Sequence, residues 1–156
     1  MFEQGFLEEA IQEAIKNVEN NHGGPFGAIV VKNGEIIGRG SNVVTATNDP
    51  SAHAEIQAIR DACRYLNHFQ LEDCEIYSSC EPCPMCIGAI YWARPKAVYY
   101  ACSKEDAAKI GFDDKFIYEQ LALPTEQRQI TMKQLTIPQA SIPFKLWGHS
   151  TTKINY

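Results

Sequence analysis

Hydrophobic residues in the first twenty positions recur at the spacing of one helix face. They stand three or four positions apart along the chain: Leu7, Ile11, Ala14, Ile15 and Val18. The pattern stops before "NNHGGP", where glycine and proline favour a loop. The sequence therefore predicts an amphipathic first helix that covers an apolar surface.

Two short apolar runs follow in "FGAIVVKNGEIIGRG". Asn33 and Gly34, which lie between the runs, both tolerate the positive φ angles of a two-residue hairpin turn. We therefore predict two antiparallel strands joined by a tight turn.

Helix and strand patterns alternate in the next part of the chain. Pro50 and Ser51 can begin a helix that runs to about Tyr65, and Pro84 suits the first turn of a helix through Trp92. The short strands "CEIYSS" and "KAVYYA" flank this second helix. Strands separated by single helices favour parallel crossovers, so we expect an α/β protein with a mixed sheet between layers of helices.

The pattern weakens towards the C-terminus. Ser103 and Asp106 have the spacing of a helix-capping box, and "FDDKFIYEQL" is typical of a helix. The last segment, "PQASIPFKLWGHSTTKINY", predicts no element. We find no internal repeat and no long linker, so we expect a single domain over residues 1–156.

Charge and composition narrow the classes of function. A formal net charge of −5 argues against a general nucleic-acid groove, because affinity for phosphate backbones comes mainly from Lys and Arg. The start of the chain, "MFEQGFLEEA", lacks the apolar core of a signal peptide, and no later run is long enough to span a bilayer. We therefore expect a cytoplasmic protein, in which six cysteines are more often thiols or metal ligands than disulfides.

Two short motifs contain the residue types that bind zinc, "HAE" at 53–55 and "PCPMC" at 82–86. Catalytic zinc takes three protein ligands and leaves the fourth position to water. We expect Cys83 and Cys86 at the cap and third position of the helix that Pro84 begins, where the helix dipole stabilises thiolates. Glu55 would then handle protons on the bound water.

The cysteines also have other interpretations. A C-x-x-C pair alone is compatible with redox chemistry, and Cys80 with His53 would complete a four-ligand structural zinc site. A structural site needs no carboxylate at Glu55, so we favour Cys83 and Cys86 as ligands and Cys80 as packing. Spacing leaves the assignment open, because positions 53 and 55 project from opposite sides of a regular helix.

"HAE" followed by "PCPMC" resembles the signature of the zinc base deaminases, and most of the chain is similar to proteins of the cytidine-deaminase fold. Within that superfamily it resembles the bacterial guanine deaminases in "GGPFGAIVVKNGEII", "NDPSAHAEIQAIR", "SSCEPCPMCIGAIYWARP", "GFDDKFIYEQL" and the C-terminal Tyr156. The first three segments are shared in outline with tRNA-specific adenosine deaminases. The "FDD" segment and the acidic charge favour a free base as substrate. A tRNA deaminase and a noncatalytic zinc or redox protein are the alternatives.

The resemblance implies a three-layer α/β/α sandwich with a mixed sheet of roughly five strands. It also implies one zinc ion per chain, held by His53, Cys83 and Cys86, with Glu55 as proton shuttle. The implied reaction is hydrolysis of guanine to xanthine and ammonia in purine catabolism or salvage.

The implied partner is a purine base. The residues implied to surround it are Asn42, Ala54 through its backbone N–H, Phe26, Trp92, Asp114, Glu81 through its backbone carbonyl, and Tyr156. Asp114 would accept hydrogen bonds from the guanine edge. The aromatic C-terminal tail, about 138–156 and ending at Tyr156, is expected to close the active site of its own or a second subunit. We therefore expect a homodimer, with exchange of these tails as one arrangement.

Overall fold

The computed structural model describes residues 2–156 and divides into two compact units. The first ends at Asp114 and contains α1 (Gln4–Glu19), β1 (Gly27–Lys32), β2 (Glu35–Ser41), α2 (Val44–Thr47), α3 (Ala54–Leu66), β3 (Cys74–Cys80), α4 (Pro84–Ala93), β4 (Ala97–Cys102) and α5 (Lys104–Lys109). The second, Lys115–Tyr156, contains α6 (Lys115–Ala122), α7 (Ile142–His149) and two 3₁₀ turns, Thr125–Gln127 and Pro138–Ser141. The expected single domain over 1–156 stays a prediction.

The strands form one mixed sheet in the order β2-β1-β3-β4. β1 is antiparallel to β2 and β3, whereas β3 and β4 are parallel. Asn33 and Gly34 have φ angles of 52° and 78° and make the predicted turn between β1 and β2. The sheet has four strands rather than the roughly five expected, because the chain enters α5 and α6 after β4. No further strand joins the sheet within residues 2–156.

Alternate residues of the strands face two separate apolar cores. Ala28, Val30 and Ile76 pack with residues of α3 and α4 on one side of the sheet. Ile29 and Tyr77 pack with residues of α1 on the other side. The expected three-layer α/β/α sandwich is therefore confirmed.

Two glycines of β2 let α3 lie directly on the sheet. A Cβ atom at Gly40 would lie 2.2 Å from the carbonyl oxygen of Ala54, and one at Gly38 would lie 2.6 Å from that of Ala58. Neither position has room for a side chain. This close packing positions the N-terminal end of α3 against the sheet.

Most predicted helices are confirmed, with one shifted start. The helix predicted from Pro50 begins instead at Ala54. The reason is a local turn, in which a carboxylate oxygen of Asp49 accepts hydrogen bonds from the N–H and the hydroxyl of Ser51 at 2.8 and 2.6 Å. His53 is consequently the N-cap of α3 and lies outside its first turn.

The C-terminal part contains both predicted and unpredicted elements. Ser103 and Asp106 form the expected capping box at the start of α5, and the "FDDKFIYEQL" segment includes α6. The segment without a sequence prediction contains α7. None of the helices in residues 2–156 has both the length and the hydrophobicity needed to cross a membrane.

Candidate metal centre

The N-terminal ends of α3 and α4 bring the two sequence motifs together. Cys83 is the N-cap of α4 and Cys86 its third residue, as predicted, because Pro84 occupies the first helical position. His53 caps α3 with extended backbone angles, φ −72° and ψ 159°. The rule that separates positions 53 and 55 on a regular helix therefore does not apply to His53.

The ligand atoms of His53, Cys83 and Cys86 all lie within 4.8 Å of one another. His53 Nδ1 is 3.4 Å from Cys83 Sγ and 3.5 Å from Cys86 Sγ. A tetrahedral zinc ion with ordinary Zn–S and Zn–N bonds places nitrogen and sulfur about 3.6 Å apart. The donor set and its spacing thus fit one zinc ion with a fourth position left for another ligand.

The pKa values of the three ligand side chains are shifted in different directions. Interaction with the neighbouring Cys86 thiol, together with a hydrogen bond from His53, lowers the pKa of Cys83 despite its burial. The same interaction with Cys83, together with burial, raises the pKa of Cys86. The hydrogen bond to Cys83 also raises the pKa of His53. One thiolate is therefore favoured before a metal binds, and zinc would displace the proton of Cys86.

Glu55 lies beside the cluster and is only 5% exposed. Ser78 Oγ donates a hydrogen bond to Oε1 at 2.9 Å, and the Cys86 thiol donates one to Oε2 at 3.3 Å. Burial is the main cause that raises the pKa of Glu55. A carboxyl in such a site keeps a proton more readily than one in water, which suits acid–base chemistry.

Ser78 is a contact that the sequence analysis missed. The signal was present in strand alternation, since Ile76 faces the α3 side of β3 and the residue two positions on faces the same side. Ser78 is fully buried there, with its hydroxyl on Glu55. Its hydroxyl binds Oε1 of Glu55, whereas Oε2 contacts the Cys86 thiol.

Cys80 stands apart from the three-ligand group. It is the last residue of β3, and its buried thiol donates a hydrogen bond to the carbonyl of Ser103 at 3.5 Å. Burial is the main cause that raises its pKa to about 11. These contacts agree with packing as its role, which stays a prediction.

Three of the residues expected around a purine lie at or near the ends of the strands and helices that border the metal centre. Asn42 follows β2 and is buried, and its Oδ1 accepts a hydrogen bond from the Val44 N–H at 3.3 Å. Phe26 precedes β1 and meets Phe112 edge to face, with ring centroids 4.9 Å apart. Ala54 is the first residue of α3, where backbone N–H groups lack intrahelical partners.

The remaining candidates have varied surroundings, and their roles stay predictions. Burial raises the pKa of Asp114, and the charge of Cys83 raises it further, so the two groups are electrostatic neighbours. The Glu81 carboxylate accepts a hydrogen bond from the Lys104 N–H at 3.1 Å. Trp92 is 64% exposed on α4, and Tyr156 is an exposed residue of the second unit.

Comparison with known proteins agrees with this site. Residues 2–102 match the family model described as the cytidine and deoxycytidylate deaminase zinc-binding region. The chain is 52% identical over 156 residues to guanine deaminase of Bacillus subtilis strain 168, with all of both chains covered. The crystal structure of Bacillus subtilis guanine deaminase matches with a TM-score of 0.97, over 100% of this chain and 99% of that one.

More distant relatives share the fold and part of the length. The tRNA-specific adenosine deaminase of Aquifex aeolicus is 37% identical over 142 residues, or 90% of each chain. A solved structure in complex with 2,6-diaminopurine is 33% identical, with a TM-score of 0.67 over 70% of this chain and 61% of that one. With its histidine and cysteines grouped at two helix ends and its sequence matched from residue 2 to 102, the chain belongs to the cytidine and deoxycytidylate deaminase family.

Proposed function

We propose that this protein is a zinc-dependent guanine deaminase that hydrolyses guanine to xanthine and ammonia. The observation that carries the proposal is the buried Glu55 carboxyl beside a group of only three zinc-ligand side chains. Similarity to a guanine deaminase over the full length of both chains supports guanine as the substrate. The net charge of −5 disfavours a tRNA substrate.

Each part of the site has a task in this reaction. His53, Cys83 and Cys86 would hold a zinc ion, which would activate a water molecule near neutral pH by lowering its pKa. Glu55 takes up a proton and delivers it to a ring nitrogen of guanine as the hydroxyl group adds to C2. It then takes the proton of the hydroxyl group added at C2 and delivers it to the amine, which leaves as ammonia as the C2 carbonyl forms, with the Glu81 carbonyl as that amine's hydrogen-bond acceptor. Because Ser78 occupies Oε1 of Glu55, we assign these proton transfers to Oε2.

The purine is held by groups from several loops. Since Asn42 Oδ1 already accepts from the Val44 N–H, the Nδ2 group of Asn42 is the one left to donate to a purine acceptor. The Ala54 N–H donates to the base from the start of α3. Phe26 and Trp92 contribute apolar surface to the pocket.

Asp114 provides the choice of guanine over adenine. Guanine presents two neighbouring donors, the ring N1–H and the exocyclic amine, to which a carboxylate binds with charge-assisted hydrogen bonds. Adenine presents an unprotonated N1 there, which repels a carboxylate. The partial burial of Asp114 and its electrostatic proximity to Cys83 support this role.

We expect Asp114→Ala to fold and bind zinc but to lose at least about 30-fold in kcat/KM for guanine, because two substrate donors are left unpaired at about 1–3 kcal/mol each. Asp113→Ala is the matched control, since it removes the neighbouring carboxylate and is expected to cost little. The measurement is kcat/KM for guanine in the two variants side by side. Equal and small losses would show that Asp114 does not select guanine.

The activity itself is tested by a substrate panel. Purified protein is loaded with zinc, and ammonia release is measured from guanine, adenine, cytosine and their nucleosides. We expect about one zinc ion per chain and release from guanine above all others. No release from any base would favour a noncatalytic zinc or redox protein. Adenosine deamination in tRNA, with strong salt dependence of binding, would favour the tRNA deaminase.

We also propose a cytoplasmic homodimer whose C-terminal tail, residues 138–156, closes an active site. The tail carries large apolar side chains at its surface, among them Phe144 at 80% exposure and the exposed Leu146 and Ile154. Such a set of exposed apolar side chains is typical of a surface that another chain or segment covers. Exchange of tails between two subunits would cover it.

Deletion of residues 154–156 is expected to reduce guanine turnover more than it reduces zinc content or thermal stability, because the tail excludes water from the site. Tyr156→Phe serves as the control, since it keeps the ring and removes the hydroxyl. Turnover, zinc content and oligomeric state are measured for both variants. Full turnover after the deletion would mean that these residues close no active site.

A further inference from the structure

Helix α1 carries a buried amide, Asn17, that is only 3% exposed. Its Nδ2 group donates two hydrogen bonds, to the carbonyl oxygens of Gly24 and Asn42, both at 2.8 Å. Its own carbonyl oxygen accepts the N–H of His22 at 3.0 Å. One residue therefore holds both the turn that follows α1 and the residue that follows β2.

The two segments tied by Asn17 carry Phe26 and Asn42. The Asn42 N–H donates to the carbonyl of Phe26 at 3.2 Å, which joins the segments directly. They are also in tight contact, because a Cβ atom at Gly23 would lie 2.1 Å from the carbonyl oxygen of Asn42. The N–H of Gly27, the next residue in the chain, donates to Ser79 Oγ at 3.0 Å, beside the end of β3. The tied segments therefore border the strand that leads to the metal centre.

The two ends of the Asn17 side-chain amide differ in their hydrogen bonding. Among residues 2–156, Asn17 Oδ1 is a buried side-chain oxygen with no hydrogen-bond partner. The hydrogen bonds from this side chain to other segments are therefore both made by its Nδ2 group. Apolar side chains offer no N–H, and a carboxylate would repel the two carbonyl oxygens. The requirement at this position is for a pair of N–H donors.

We propose that Asn17 is a positioning residue for purine binding. By holding the carbonyls of Gly24 and Asn42, it fixes the Asn42 amide and the Phe26 ring in the orientation that receives the base. Asn17 itself touches no reacting atom. The inference rests on the proposed function, in which Asn42 and Phe26 contact the purine before and during the reaction. Contacts of equal strength in the bound ground state and in the transition state contribute to binding alone. Their loss raises KM and leaves kcat unchanged.

The test compares Asn17→Leu with Leu7→Ala on the same helix. Asn17→Leu keeps a similar volume and removes both donors together with the unpaired oxygen. Leu7→Ala weakens the packing of α1 against the sheet, and the apolar Leu7 side chain makes no hydrogen bond to the tied segments and lies about three helical turns before Asn17. We expect Asn17→Leu to raise KM for guanine about tenfold while kcat per bound zinc changes less than about threefold. Leu7→Ala is expected to lower the melting temperature and to leave KM unchanged. Asn17→Ser, which is smaller, replaces Asn17→Leu if that variant does not fold.

Hydrogen–deuterium exchange supplies a second measurement that needs no turnover. Peptides that cover residues 20–26 and 40–44 are expected to exchange faster in Asn17→Leu than in Leu7→Ala. Wild-type protein without guanine turnover would refute the proposed function, whereas the exchange comparison would still test the role of Asn17 in holding the two segments. Unchanged exchange in both peptides, or a KM no higher than that of Leu7→Ala, would overturn the inference.

Discussion

Cys83→Ala and Cys86→Ala are each expected to lose bound zinc and, with it, guanine turnover. Each variant leaves only two of the three ligand atoms that lie within 4.8 Å of one another. Loss of residues that merely orient metal ligands already costs about 10- to 100-fold in affinity, so loss of a ligand should exceed that range. Zinc content after dialysis, measured by mass spectrometry of the metal, and ammonia release from guanine are compared with wild type.

Cys80→Ala is the matched control for both variants. It removes a thiol from the same short segment, but that thiol donates to the Ser103 carbonyl and is outside the ligand group. We expect it to retain zinc and turnover, with some loss of stability from the buried cavity. If Cys80→Ala loses as much zinc as Cys83→Ala, the assignment of ligands is wrong.

The geometry around these cysteines was predictable because proline restricts the backbone locally. Pro84 at the first position of α4 has its φ angle fixed by its ring, which places Cys83 at the cap and Cys86 at the third position. The two-residue turn at Asn33 and Gly34 was predictable for a similar reason, since both tolerate positive φ angles. In each case the signal lies within a few neighbouring residues.

The position of His53 was less predictable because two local motifs compete. Pro50 and Ser51 both suit a helix start. The Asp49 carboxylate, however, accepts hydrogen bonds from the N–H and hydroxyl of Ser51 and so forms a turn there instead. The helix therefore begins later, and His53 becomes its cap. This shift lets His53 approach the cysteines while Glu55 follows in the helix.

Contacts between segments that are distant in the chain could not be predicted from sequence patterns. Strand alternation was enough to place Ser78 on the α3 side of β3, but its bond to Glu55 depends on how α3 packs. For Asn17 no pattern exists, because its partners are backbone carbonyls that any residue would supply. The tail segment 138–156 also lacks a regular period, and the support for its role in the structure is its set of exposed apolar side chains.

Glu55→Gln is expected to bind about one zinc ion per chain and to turn over guanine at least about 10²-fold more slowly than wild type. Zinc is retained because Glu55 is not among the three ligand residues. Glutamine keeps the shape of the side chain and still offers an oxygen to the Ser78 hydroxyl, so the site keeps its packing. What it loses is the ability to take up a proton and release it, and that step is needed both for addition to C2 and for loss of ammonia.

Glu75→Gln is the control for the Glu55 variant, because it changes another buried carboxyl of the same protein. Glu75 accepts a hydrogen bond from the Tyr77 hydroxyl at 3.0 Å and pairs with Lys96 at 3.3 Å, outside the metal-ligand group. The change therefore removes a buried charge without removing the proposed proton carrier. We expect it to alter stability and to leave kcat per bound zinc close to wild type. Near-normal kcat in Glu55→Gln, or an equal loss in Glu75→Gln, would remove Glu55 from proton transfer and leave the zinc site without an acid–base group.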